Sequence, residues 1–248
     1  MLDVAVDAAK KAGDLAYRYF KTHPKVTYKP DNSPVTKADI EVEKLIRKII
    51  AKNFPDHGII GEELPPVNPK AKYQWIIDPI DGTRDYVRNF PYWAVFVAVL
   101  EDKEPLISVV YFPVAQDLLI AQKSEGAFVN SKRVRVSKTQ NLKEAYVCFG
   151  TIKRFIQFNR IDQLTKICTV ARAARSYGNL NLKFFLEGKA DVILEPYGAI
   201  YDFAAPALLI EEAGGKFTDF DGKFSLTSGN AIATNGLLHN QVIKILNG

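Results

Sequence analysis

The chain has 248 residues, 47% of them hydrophobic and 25% charged, a composition ordinary for a globular protein with one large or two small cored domains. No apolar run approaches the ~20 residues that span a bilayer, and two cysteines, Cys148 and Cys168, match no metal or redox spacing, so a reduced, cytoplasmic chain is expected. The net charge is +5 with a pI near 9.0, but the basic residues are dispersed, which suits an anionic small molecule better than nucleic acid.

Leu2, Val6, Ala9, Gly13, Ala16, Tyr17 and Phe20 recur at helical spacing and predict a first helix over residues 2–20, closed by His23-Pro24. Asp3 and Asp7 inside that pattern are unlike a secretory signal. Residues 26–35 read as a polar loop. Thr36 with Asp39 three residues on predicts a capped second helix, with Val42, Leu45, Ile46, Ile49 and Ile50 as its buried stripe and Phe54-Pro55 as its end. Strands are predicted at 73–77, 92–100, 106–111, 118–122, 127–130 and 134–136. From about residue 145 strands (146–149, 170–173, 190–194, 216–219, 231–234) alternate with helices (154–167, 181–187, 203–213, 237–246). The change of character predicts an N-terminal α+β half, residues 1–140, and a C-terminal α/β half, residues 141–248, packed as layers.

Acidic residues fall at strand ends and helix starts: Asp39, Glu62-Glu63, Asp78 with Asp81, and Asp202. Asp39 and Asp202 suit helix caps, worth ~1 kcal/mol each, and Glu62-Glu63 suits a solvated loop. Asp78 and Asp81 resist such a reading. Trp75-Ile76-Ile77 carries Asp78 to the end of an apolar strand, Pro79 stops the ladder, and Asp81-Gly82 turns the chain. Carboxylates this close repel and raise each other's pKa unless a cation lies between them. Oxygen donors alone, with the Ile80 carbonyl between the acids and no His or Cys near, suit Mg²⁺ rather than zinc. The N–H groups of Gly82 and Thr83 can face an anion. An acidic Mg²⁺ cage keeps positions open for water and phosphate oxygens, which points to phosphate-ester chemistry.

The segments SPVTKAD (33–39), GEE (61–63), WIIDPIDGT (75–83) and YDFAAPALLIEEAGG (201–215), in that order, resemble the inositol monophosphatase family. Its lithium-sensitive, Mg²⁺-dependent phosphatases have relatives acting on histidinol phosphate, fructose 1,6-bisphosphate and 3′-phosphoadenosine phosphates. The resemblance implies an α+β fold, a five-layer αβαβα sandwich, assembled as a homodimer. It implies that Glu62, Asp78, Asp81 and Asp202, with the Ile80 carbonyl, hold two to three Mg²⁺ ions, with Mn²⁺ as a substitute. Thr83 and Asp39 would orient and deprotonate the metal-activated water that attacks phosphorus, and Gly82 and Thr83 would cradle the phosphate.

Glu195 stands where inositol monophosphatases bind substrate hydroxyls, and Gly178, Asn179 and Arg175 are further candidate substrate contacts. Gly178-Asn179-Leu180 departs from the Gly-Ser/Thr-Ala of inositol enzymes, and residues 192–223 are more similar to histidinol-phosphate phosphatases. The expected activity is hydrolysis of a small phosphate monoester, histidinol phosphate or inositol monophosphate. Fructose 1,6-bisphosphate or 3′-phosphoadenosine 5′-phosphate is the alternative substrate, and a non-catalytic protein-binding role is the alternative of another class. DPIDGT also looks like the Asp-x-Asp-Gly-Thr of haloacid-dehalogenase phosphatases, but it carries one residue too many to put both acids on one face of a regular strand.

Overall fold

The computed structural model describes residues 1–22, 25–30 and 34–248. His23-Pro24 and Ser33, used above, lie outside these. Helix α1 (Leu2–Phe20) buries Ala5, Ala8, Ala9, Ala12, Gly13, Ala16 and Phe20, a face of mostly small side chains that lets it lie close to its neighbours. Strands β1 (Val26–Tyr28) and β2 (Pro34–Thr36) pair antiparallel where the sequence predicts a loop. Three residues per strand are too few to show a period of two. Helix α2 (Lys37–Asn53) starts at Thr36, whose hydroxyl accepts the Ala38 N–H. Its buried side is Ala38, Asp39, Val42, Glu43, Ile46 and Ile50, so two acids lie inside the stripe.

The first large sheet comprises β3 (Gly58–Gly61), β4 (Tyr73–Asp81), β5 (Ala94–Glu101), β6 (Glu104–Phe112), β7 (Asp117–Gln122), β8 (Gly126–Val129) and β9 (Lys132–Arg133), in that spatial order. Only the β3–β4 pairing is parallel. A short helix, α3 (Thr83–Val87), links β4 to β5. The rest of the chain supplies β10 (Tyr146–Phe149), α4 (Ile152–Gln157), α5 (Ile161–Val170), β11 (Ala173–Arg175), α6 (Leu180–Leu186), β12 (Val192–Glu195), α7 (Ile200–Glu212), β13 (Lys216–Thr218), β14 (Ala231–Thr234) and α8 (His239–Asn247). Its strands form a second sheet in the order β11-β10-β12-β14-β13.

Side chains alternate across each strand, and here both faces are apolar. On β4 and β5, Trp75, Ile77, Val95, Val97 and Val99 pack against α1 and α2. Ile76, Phe96, Ala98 and Leu100 face the other way, onto α6 and α7, which also cover Cys148, Ile193, Ala231 and Ala233 of the second sheet. That sheet's far face, Val147, Val192, Leu194 and Ile232, packs on Phe155 of α4, Leu164 and Ile167 of α5 and Val242 and Leu246 of α8. The result is an α+β sandwich of five layers, αβαβα. Each large apolar side chain so covered contributes ~1.5–3 kcal/mol.

Several boundaries differ from expectation. The helix predicted over 154–167 is two, α4 and α5, broken where Asn159 takes a left-handed φ of 54°. The strand expected near 170–173 is β11, which begins only at Ala173 because Val170 still closes α5. Residues 134–136 are not strand; the edge strand β9 lies just before them. β4 does not stop at Pro79 but runs on to Asp81, a difference that decides the site.

Candidate active site

Asp78 pairs with Phe96 of β5, and pairing resumes only at Asp81 with Ala94. Pro79 and Ile80 form an irregularity between them, consistent with proline's missing N–H. In a regular strand, residues three apart point to opposite faces. The bulge cancels that alternation and turns both acids the same way. Asp78, Asp81 and Asp202 each place a carboxylate oxygen within 4.8 Å of the other two. Asp78 is only 1% exposed, and its Oδ1 accepts the Ile80 N–H at 3.0 Å, so the bulge and the carboxylate hold one another.

Asp202 arrives from α7, where it is the third helical residue and accepts the Ala199 N–H. Asp39 does the same on α2, its Oδ2 accepting the Thr36 N–H at 2.8 Å and the Thr36 hydroxyl at 2.7 Å. A carboxylate has two oxygens, so each cap leaves one oxygen free. The other oxygen of Asp39 lies 3.5 Å from the Thr83 hydroxyl, at the limit of hydrogen bonding, while that hydroxyl donates to the Ile80 carbonyl at 3.0 Å.

Glu62, Asp78, Asp81, Thr83, Glu195 and Asp202 line one cavity of about 310 Å³. Glu62 stands apart from the three-aspartate cluster. Lys29, on the segment after β1, sets its ammonium 2.8 Å from Glu62 and 2.7 Å from Glu63. Glu43 of α2, fully buried, pairs with Arg47 and accepts the N–H of Glu63 at 2.8 Å, fixing the loop that carries Glu62. Removing one partner of a buried pair strands the other. Glu43→Ala is expected to cost about 3 kcal/mol, seen as a lower melting temperature by calorimetry; an unchanged melting temperature would mean the pair holds nothing.

Charge crowding dominates the cavity. Burial, then neighbouring acids, pushes Asp78 and Asp81 well above the usual carboxylate range. Burial brings Asp202 up to about 6 and Glu195 to about 8, the latter with help from Asp202 and against Arg154. Burial also raises Asp39, against the pull of its Thr36 hydrogen bonds. A cluster of oxygen donors that repel one another fits a hard divalent cation, and no nitrogen or sulfur donor joins the cluster among the described residues.

The whole chain, residues 1–248, matches the model of the inositol monophosphatase family. The chain belongs to that family. It is 34% identical to the histidinol-phosphatase of Mycobacterium tuberculosis over 99% of this chain and 97% of that protein. It is likewise 34% identical to inositol monophosphatase 2 of Solanum lycopersicum, over 99% and 97%. Among solved structures, the Thermotoga maritima IMPase superposes with a TM-score of 0.90 at 32% identity, covering 99% of this chain and 96% of that one.

The expected substrate contacts of this family member divide. Gly178 and Asn179 line the same cavity, yet the Asn179 amide donates to the Asp81 carbonyl at 2.7 Å and so braces the bulged strand. Arg175 instead lines a second cavity of about 280 Å³ with Tyr146, Tyr177 and Phe184. Gly82 opens α3 at a φ of 90°, and a Cβ there would come within 2.8 Å of the Asn179 amide nitrogen. Gly82→Ala should destabilise the fold by ~1–3 kcal/mol through a left-handed backbone plus this contact, and lower turnover with it. Unaltered melting and turnover would contradict that. The described histidines serve structure: His57 accepts the Trp75 indole N–H, and buried His239, lowered to about 4 by burial, sits between Thr218 and Thr234.

Lys29, Glu43 and Arg154 were missed in the sequence. Glu43 carried a signal, since it follows Asp39 by four residues on the buried face of α2. Lys29 and Arg154 carried none, because tertiary packing alone brings Lys29 to Glu62 and Arg154 to the cavity.

Proposed function

We propose that the chain is a Mg²⁺-dependent phosphomonoesterase that hydrolyses a small phosphate monoester, with histidinol phosphate preferred over inositol monophosphate. The observation that carries this reading is the convergence of Asp78, Asp81 and Asp202 within 4.8 Å of one another beside Thr83 and Asp39. Glu62, Asp78, Asp81, Asp202 and the Ile80 carbonyl would hold two to three ions, with Mn²⁺ as a substitute. When bound, Mg²⁺ makes a water acidic enough to attack at neutral pH and stabilises the leaving alkoxide.

The chain's own residues do the rest. The Thr83 hydroxyl donates to the Ile80 carbonyl at 3.0 Å; turned to Asp39, 3.5 Å away, it would be free to accept a hydrogen bond from the attacking water. Asp39, raised by burial, is suited to take the proton onward. The start of α3 at Gly82 and Thr83 offers N–H groups to the phosphate oxygens. Glu195, Gly178 and Asn179 bound the side where the leaving group lies.

The two free cysteines support placement in the cytoplasm, and among the described residues no helix is long and apolar enough to cross a membrane. Exposed Ile152, Ile156 and Phe158 on and after α4, with Tyr177 after β11, support a homodimer. Phosphate release is to be measured on histidinol phosphate, inositol 1-phosphate, fructose 1,6-bisphosphate and 3′-phosphoadenosine 5′-phosphate, with and without Li⁺. Hydrolysis led by histidinol phosphate and inhibited by Li⁺ is the expected result; no release from any of the four would overturn the reading.

A further inference from the structure

Asp85 follows the WIIDPIDGT segment (75–83) by two residues. Asp85 lies in α3 and lines the same cavity as the aspartate cluster, half-buried. It is distinct from the cluster of Asp78, Asp81 and Asp202. The turn between β11 and α6 closes over it. Gly178, at a φ of 58°, allows that approach, since a Cβ there would come within 3.1 Å of Asp85 Oδ2.

Asp85 has no ion-pair partner among the described residues, and its chain neighbour Arg84 forms none with it. Glu195, at the end of β12, lines the same cavity and among the described residues also lacks a partner within ion-pair distance, with Arg154 as the nearby cation. Arg154 is stacked on Tyr197, its guanidinium 4.3 Å from the ring centre. A carboxylate held half out of water without a partner is costly, and a cation in the cavity returns that cost.

We propose that Asp85 selects a leaving group that carries an ammonium. This rests on the phosphomonoesterase reading and deepens it. Of the two leading substrates, histidinol phosphate bears a primary amine and inositol monophosphate bears only hydroxyls. Asp85 lies in the same cavity as the aspartate cluster but outside it, and marks the place of the amine. Asp85 is a specificity residue in this account and takes no part in the attack on phosphorus.

The test compares kcat/KM for L-histidinol phosphate and for its desamino analogue, 3-(imidazol-4-yl)propyl phosphate, at pH 7.5 with Mg²⁺. Imidazole is largely neutral there, so the two substrates differ chiefly by one ammonium. The wild-type protein should favour the amine by ~10-fold or more, the worth of a hydrogen bond to a charged group. In Asp85→Asn the ratio should fall toward one, mainly through KM on the amine, and Asp85→Glu should keep it. A wild-type ratio near one, or a ratio that Asp85→Asn leaves unchanged, would overturn the proposal while phosphatase activity stands. A wild-type protein that cleaves neither compound nor any other monoester would remove the underlying reading as well.

Discussion

Asp78→Asn lowers phosphate release by ~10³-fold or more while leaving the fold intact. Asparagine has the shape of aspartate and retains an oxygen that can accept the Ile80 N–H, the bond that keeps the β4 bulge closed. What it removes is one negative charge from three carboxylates whose oxygens lie within 4.8 Å of one another. Electrostatic stabilisation by a metal is worth several kcal/mol in the transition state, and each 1.36 kcal/mol is tenfold in rate. The same substitution relieves repulsion in the metal-free protein, so its melting temperature in EDTA should rise rather than fall. Steady-state kinetics and thermal melting of the one variant therefore move in opposite directions. Near-normal turnover would show that Asp78 holds nothing the reaction needs.

The second large effect is a dependence of stability on pH that metal reverses. Asp202 goes from 3.8 to about 6 in the folded protein and Glu195 from 4.5 to about 8, with Asp78 and Asp81 also raised by burial. Between about pH 4 and 8 the native state therefore binds more protons than the unfolded chain. Stability falls as pH rises wherever that holds, so the protein in EDTA should melt progressively lower from pH 5.5 to pH 8.5. Mg²⁺ binds the ionised acids and should raise the melting temperature far more at pH 8.5 than at 5.5. Differential scanning fluorimetry at both pH values, with EDTA and with Mg²⁺, checks this. A Mg²⁺ shift that is equal at the two pH values, or absent, would contradict the charge-crowded cavity.

Much of the architecture was legible because its signals are local. The stripe of α2, its Thr36–Asp39 start and the apolar climb of Trp75-Ile76-Ile77 all lie within a few residues of one another. The acids of the site were legible for a related reason, since aspartates beside apolar strands and helix starts are expensive without a partner. What sequence could not supply is direction. Pro79 signalled an interruption but not that pairing resumes at Asp81, and it is the resumed register that aims Asp78 and Asp81 together. Nor could spacing tell that Asn179 braces Asp81 through its carbonyl, or that Arg175 belongs to another cavity. Those placements depend on how the second sheet meets the first through α6 and α7, contacts made across more than ninety residues of chain.

The central claim is that the aspartate cluster at the β4 bulge is a metal site for phosphate-ester hydrolysis. It is tested most directly by phosphate release from histidinol phosphate by metal-stripped protein, before and after Mg²⁺ is returned. Release that appears only with Mg²⁺, and that Asp78→Asn abolishes at every Mg²⁺ concentration, is the predicted result. Release at the same rate in EDTA, or none at any Mg²⁺ concentration from this or any other monoester, would contradict it.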